Sequence, residues 1–515
     1  PPIITKISIV SEASYPLRVL CLFCTKFKEK QMITMKFSST AESRKDLMLT
    51  QPLPKLIMRM ATPTIIAFLI NSVYSLTDTY FVSSLGTNAT AAVSVNSSLD
   101  QIIMMTGSML AIGANSYIAR LLGAKEEKEA SCVLSTAFFL AAGFGLIVTL
   151  LGSVFMEPMV RLLGSTDTCR NYAMDYAVYV LMVAPFMAAN FVMNQCLRAE
   201  GAAMLAMVGM GLGGILNCFL DPIFIFVLDM GVAGASLATA ISKLVSFAIL
   251  SYPYFSGKSF LHISLRLFRF SKSIITQIVF VGSSSLFRNG LAVIAAIILN
   301  RIAGGVSDSV LAGIGVSTKV MMFPFGIVLG FGSGFQPVAG FNWGAADYDR
   351  VRKSYRFAAR AVLLGSAAMG AFLFAFAYPA IDLFAQADPQ MQQIGALCIR
   401  SQCLALPIHG WVAVVNMFCA GIGDAKGALL LSTARQGSCF LPFVHLSAAL
   451  LGAYGVATIQ AVADLLTLLL AVPVLRSVMR RVNAQESLVA AQTAAFPAND
   501  LLHHSLQPDG KDASI

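Results

Sequence analysis

Long apolar stretches, broken by short polar segments, recur twelve times along the chain. They lie at about 61–84, 94–119, 131–154, 172–196, 204–228, 231–255, 275–300, 310–340, 358–379, 393–419, 427–450 and 453–475. About 20 apolar residues are enough for a helix to cross the hydrocarbon core of a bilayer. None of the stretches alternates apolar and polar positions as a barrel strand would, so each predicts a helix. The stretches at 94–119 and 310–340 are richer in Ser, Gly, Asn and Thr, which predicts that they face other helices or a cavity more than lipid. The pattern predicts an all-α integral membrane fold of about twelve transmembrane helices. Residues 1–60 read as an N-terminal leader, largely disordered or interfacial, with Met32 or Met35 as the natural start. Residues 61–255 then form a first lobe of six helices, 256–273 a cytoplasmic linker, 274–478 a second lobe of six, and 479–515 a polar cytoplasmic tail.

Composition names the solvent. The chain has 515 residues, 57% hydrophobic and 12% charged, with mean hydropathy +0.74. A soluble protein carries about 25% charged residues, so most of this surface faces lipid. The net charge of +10 would suggest nucleic acid in a soluble protein, but here it reports topology. One set of alternate loops holds Arg120, Lys125, Lys128, Arg198, the linker cations, Arg350, Arg352, Lys353, Arg356, Arg360 and Lys426, while the other holds only Arg161, Arg170 and Arg301. By the positive-inside rule the first set is cytoplasmic. With an even number of spans, both termini lie on that side of a cell membrane. Of ten cysteines only Cys21 and Cys24 form a CxxC, with no second pair or nearby His, so neither a disulfide framework nor a zinc site is signalled. No P-loop, HExxH or GxSxG is present. The chain does not read as an enzyme, and no cofactor is expected. A pump without a P-loop draws on an ion gradient.

The chain repeats itself at an offset of 221. Ala91, Val95, Gly113, Gly123 and Ala124 fall on Ala312, Val316, Gly334, Gly344 and Ala345, and Gly231 and Gly234 on Gly452 and Gly455. A repeat of six helices inserts both halves in one orientation, so the lobes should be related by a pseudo-two-fold axis along the membrane normal, a pattern of alternating-access carriers.

Ionisable residues inside membrane helices are expensive and mark function. The first half offers Asp78, Asp100, Asp175, Asp221 and Lys243, and the second Arg288, Lys319, Arg400, Arg435 and Asp464. Asp175 and Lys243 read as structural. Asp78 and Asp221 sit deep, each with a polar neighbour one turn back, Tyr74 and Asn217 respectively. Pro222 lacks an N–H and frees the Cys218 carbonyl. Two carboxylates, an amide oxygen and a hydroxyl suit a proton or a small hard cation such as Na⁺. Two nearby carboxylates cannot both ionise cheaply. At the 221 offset Asp78, Asn217 and Asp221 fall on Leu299, Ser438 and Pro442, so this set occurs once. The second lobe's cations either brace it or present positive charge to a substrate, with Lys319 first and Arg288 next.

At these residues the chain resembles the multidrug and toxic compound extrusion (MATE) family. The likeness covers roughly 50–478 and rests on TDTYFVSSLG, RLLGAK, LRAEG, NCFLDPIFIF, GVAGASLATAIS and NWGAADYDR. The resemblance implies export coupled to H⁺ or Na⁺ through a cavity between two lobes. It implies a coupling site in the first lobe, with Asp78 and Tyr74 on the first helix, Asn217 and Asp221 on the fifth, and Thr239 on the sixth. It also implies that Pro63 bends the first helix as the site loads. Another branch uses carboxylates in the seventh and tenth helices. Here those spans offer Arg288 and Arg400, which favours the first-lobe mechanism. The reading is thus a monomeric cation-coupled antiporter of small organic solutes, in contact with membrane lipid and not with nucleic acid. The alternative is a lipid-linked saccharide flippase of the same wider superfamily, whose cavity is more basic.

Overall fold

The structure, a computed structural model, describes residues 47–385 and 388–495. Most of the expected leader (1–46), residues 386–387 and the end of the expected tail (496–515) lie outside the described residues. The described residues contain helices and no strand.

The first lobe comprises α1 (Leu53–Ser83), α2 (Thr87–Gly123), α3 (Glu127–Val154), α4 (Arg170–Ala199), α5 (Ala203–Pro222) and α6 (Gly231–Phe255). The second comprises α7 (Lys272–Val306), α8 (Asp308–Gly344), α9 (Tyr348–Ala375), α10 (Pro389–Ile422), α11 (Ala425–Thr433) and α12 (Leu441–Ala495). A short surface helix follows the third helix of each lobe, at Met156–Leu162 and Ala377–Ala385. Eleven segments are long and apolar enough to span a bilayer, and the last, Ala425–Ala491, is 67 residues. At 1.5 Å per residue that is about 100 Å, far more than one crossing needs. Gly452 breaks it, with φ 57° and ψ −132°. Two crossings result, twelve in all.

Both ends of the helical region reach beyond the sequence expectation. The first helix starts at Leu53, where a span was expected from 61 and a leader before it. Pro52 sets the turn, and Leu53, Leu56, Ile57 and Met60 form one buried stripe while Lys55 and Arg59 stay exposed. The charges masked an amphipathic turn whose apolar face packs inward. At the other end, residues 479–495 continue α12 into what was expected to be a polar tail. Val478 and Val482 bury one face, and Arg352 on α9 pairs with Glu486, with one contact at 2.8 Å. The 256–271 linker folds back onto the first lobe: Ser259 Oγ donates to Glu200 at 2.5 Å, and Ser135 Oγ donates to the His262 carbonyl at 3.1 Å.

The repeat is visible in the backbone. Gly231 and Gly452 have φ 56° and 57°, and Lys125 and Ala346 have φ 64° and 57°, each pair 221 residues apart. Asn194 Nδ2 donates to the Ala206 carbonyl at 2.8 Å, and Asn416 Nδ2 to the Ala428 carbonyl at 2.8 Å. The lobes meet along α1 and α2 against α7 and α8. Next to the basic loops the backbones touch. A Cβ on Gly123 would lie 2.1 Å from the Phe341 carbonyl oxygen, and one on Gly344 would lie 1.9 Å from that of Arg120. Only glycine permits this approach. Away from the basic face the seam opens. The nearest α1 atom to a Cβ built on α8 is 2.5 Å away at Gly334, 2.7 Å at Gly330 and 3.8 Å at Gly326.

Candidate functional site

Three helices of the first lobe bring the candidate residues together. On α5, Pro222 cannot donate to the Cys218 carbonyl one turn back. The chain responds with a π turn at Ile223–Val227, closed by Leu228 N–H donating to the Ile223 carbonyl at 2.9 Å. Such turns recur at functional sites. Asn217 and Asp221 sit just before it, almost fully buried. Thr239 on α6 accepts from Asn217 Nδ2 at 3.1 Å. That hydrogen bond leaves Asn217 Oδ1 free to face inward, and the Tyr74 hydroxyl on α1 lies against Thr239. Asp78, one turn beyond Tyr74, is within electrostatic reach of Asp221. Asp78 is half-buried, five residues from the end of α1, so it lies nearer the open side of the seam than the sequence suggested. Pro63 lies inside α1, near its basic-loop end.

Two residues join that the sequence did not place there. Lys243 on α6 lies over the Tyr74 ring, its Nζ 5.5 Å from the centroid, and acts on both Asp78 and Asp100. Asp100 comes from α2. The available signal was the spacing of four between Thr239 and Lys243, which puts both on one helix face. Asp175, also read as structural, is exposed.

The cluster is short of donors. Asp78 Oδ1, Asp100 Oδ1, Asn217 Oδ1 and both oxygens of Asp221 are buried without a hydrogen-bond donor among the described residues. Three carboxyl groups face one ammonium. Buried acceptors left unmatched cost free energy, and unbalanced charge costs more. A proton or a small hard cation satisfies both. No group of three or more His, Cys, Asp or Glu side chains close enough to hold a metal ion occurs among the described residues.

The second lobe carries a cluster of opposite sign. Arg435 pairs with Asp464 through Nε–Oδ1 at 2.5 Å and Nη2–Oδ2 at 3.3 Å, and His409 Nδ1 stands 3.4 Å from the same carboxylate. Arg400 lies over the rings of Phe374 and Tyr378. Arg288 is half-buried on α7. Lys319 is exposed on α8 and no contact joins it to this cluster.

The model of the MatE family matches residues 63–223 and 285–446, one stretch in each lobe. The chain belongs to the MATE family. It is a multi-pass membrane transporter, and the resemblance read from the motifs is confirmed. Its relatives include the multidrug export protein MepA of Staphylococcus aureus, 25% identical over 406 residues that cover 79% of this chain and 89% of that protein. The MepA of Staphylococcus saprophyticus is 26% identical over 402 residues, 78% of this chain and 88% of that one. A solved structure of a multidrug resistance MATE family transporter, in its outward-facing conformation, superposes with a TM-score of 0.81 at 26% identity, covering 88% of this MATE chain and all of that one.

Proposed function

We propose that this transporter exports small organic solutes, drugs among them, in exchange for H⁺ or Na⁺ entering through the first lobe. The observation that carries the coupling is the donor-poor cluster of Asp78, Asp100, Asn217 and Asp221 around a single ammonium. The naming of its relatives as multidrug exporters supports the cargo class. The basic loops mark the cytoplasmic face, with both termini there, in a cell membrane and in a monomer. On this orientation the seam is closed to the cytoplasm and splays outward. The coupling ion enters from outside, neutralises the cluster, and lets α1 bend at Pro63. The lobes then close outside and open inside. Tyr74 and Thr239 position the neutral oxygens. The flippase alternative drew on the basic second lobe, and the Arg435–Asp464 pair neutralises part of that charge.

The test is dye efflux from proteoliposomes, with a pH gradient and a Na⁺ gradient imposed separately. One of the two should drive wild-type transport. Asp78→Asn and Asp221→Asn should each remove gradient-driven accumulation with expression retained. Asn217→Ala and Thr239→Ala should weaken it less. A double Asp78→Asn/Asp221→Asn variant that still concentrates dye would rule the site out.

A further inference from the structure

We infer that the second lobe holds a binding site for an aromatic organic anion, in which Arg288 receives the carboxylate or similar oxyanion. Four helices and a π turn converge there. Arg288 comes from α7, Phe325 from α8, His409 from α10, Asp464 from α12, and Arg435 from the π turn Ala434–Ser438 that follows α11. The turn is closed by Cys439 N–H donating to the Ala434 carbonyl at 2.8 Å.

The charges do not balance. Asp464 is committed to Arg435 at two points and to His409 on its Oδ1. Arg288 has no carboxylate within 4.0 Å among the described residues. Its hydrogen bond is from Nη2 to Ser285 Oγ, one turn back, at 3.5 Å. A guanidinium has five N–H donors in a fork that matches a carboxylate. A half-buried arginine at membrane depth is expensive unless it faces an anion or water. Arg288 also acts electrostatically on His409, across from α7 to α10. Leu291, one turn along α7 from Arg288, packs against the π turn, 3.1 Å from a Cβ position on Gly437, and an aromatic wall lies on the other side of that cluster. The Phe325 and His409 rings have centroids 4.8 Å apart, and the Arg435 guanidinium lies 5.2 Å from the Phe325 centroid. An anionic head at Arg288 would place an attached ring against that wall.

The repeat supplies a second line of argument. Asp464 occupies the position that Lys243 holds in the first lobe, 221 residues earlier. Each lobe therefore has a π turn in its fifth crossing beside a charged cluster, and the two clusters are opposite in sign. Three carboxylates face one ammonium in the first lobe, and two guanidiniums face one carboxylate in the second. Lys319, which the sequence ranked first for this role, is exposed and outside the cluster.

The site rests on the export reading for the direction of movement, but its occupancy does not. Equilibrium binding therefore separates the two. The probes are fluorescein, which carries a free carboxylate, and rhodamine 6G, a cation on the same xanthene body with its carboxyl esterified. Fluorescence polarisation with the purified full chain in detergent should show wild-type binding of fluorescein. Arg288→Gln should weaken it about tenfold or more, and Arg288→Lys less, because the charge stays and the fork is lost. Rhodamine 6G affinity should change by less than about twofold. The proposal is overturned if wild type binds no fluorescein, if Arg288→Gln leaves fluorescein binding unchanged or weakens both dyes alike, or if both variants lower the melting temperature and lose both dyes together. Gradient-driven accumulation retained in Asp221→Asn, with fluorescein binding intact, would instead count against the coupling site alone.

Discussion

Lys243 is one turn from Thr239 on α6 and shares the pocket with three carboxyl groups. If the cluster takes the coupling ion as proposed, a tethered ammonium there competes with that ion. When the ion leaves, the lysine lowers the charge it leaves behind; when the ion arrives, it must displace that attraction. Lys243→Met should therefore raise the apparent affinity for the coupling ion about tenfold or more, the usual reach of one opposite charge at this range, and slow turnover by delaying release. Efflux rate measured against ion concentration on each side would check this, and an unchanged half-saturation would exclude the competition. The sequence could name Asp78, Asn217 and Asp221 because depth, spacing and a neighbouring proline are local properties. It could not give Lys243 or Asp100 their roles. Their meaning comes from α2 and α6 facing one pocket, and single-residue patterns do not record which helices face each other. Arg288 and Lys319 changed rank for the same reason. Both are mid-span cations, and only packing separates the half-buried one on α7 from the exposed one on α8.

At the scale of elements, the seam next to the basic loops depends on backbones in contact. The Gly344 Cβ position is 1.9 Å from the Arg120 carbonyl oxygen, so a larger residue there must push α8 off α2. Gly344→Val should leave the separate lobes folded and the closed seam unattainable. Efflux should be lost, while a cysteine placed at Gln336, nearly inaccessible at 3% exposure, should become reactive. Normal efflux with Gly344→Val would show that the contact is not needed. A second contact at this face is sensitive to acid. Arg352 holds the Glu486 carboxyl below the usual glutamate range, chiefly by hydrogen bonding. A lowered value means the latch is intact at and above the ordinary glutamate pKa of about 4.3. It is lost as pH falls through the lower value in the latch. Limited proteolysis of the chain after Arg481 should therefore be slow at neutral pH and speed up in acid. In Arg352→Gln it should be fast throughout, and equal rates in the two proteins at neutral pH would refute the latch. Element existence was legible because twelve apolar stretches are a strong signal. The ends were not, because amphipathic turns at 53–60 and 479–495 look polar in a hydropathy window while packing one apolar face.

At the scale of the molecule, orientation follows from loop charge alone, and side-specific labelling tests it. Cysteines introduced at Ser256 and Thr168, both exposed, should react with a membrane-impermeant maleimide from opposite sides. Reaction of both from outside would overturn the topology. The native cysteines among the described residues are all buried and give little background. Ser259, though in the same linker, is unsuitable because it is buried against Glu200. The two-lobe plan was legible because a constant offset survives divergence in glycine and small-residue positions, where the backbone tolerates no substitute. The charges were free to diverge, and Lys243 against Asp464 is the clearest case. That pair carries a historical constraint. A dimer of identical six-helix subunits must present the same residue on both sides of its axis, so it cannot have an ammonium in one pocket and a carboxylate in the corresponding one. Opposite signs require two sequences that can change separately, as the two halves of this chain can, so the halves are no longer interchangeable: each cluster has its partners within its own lobe.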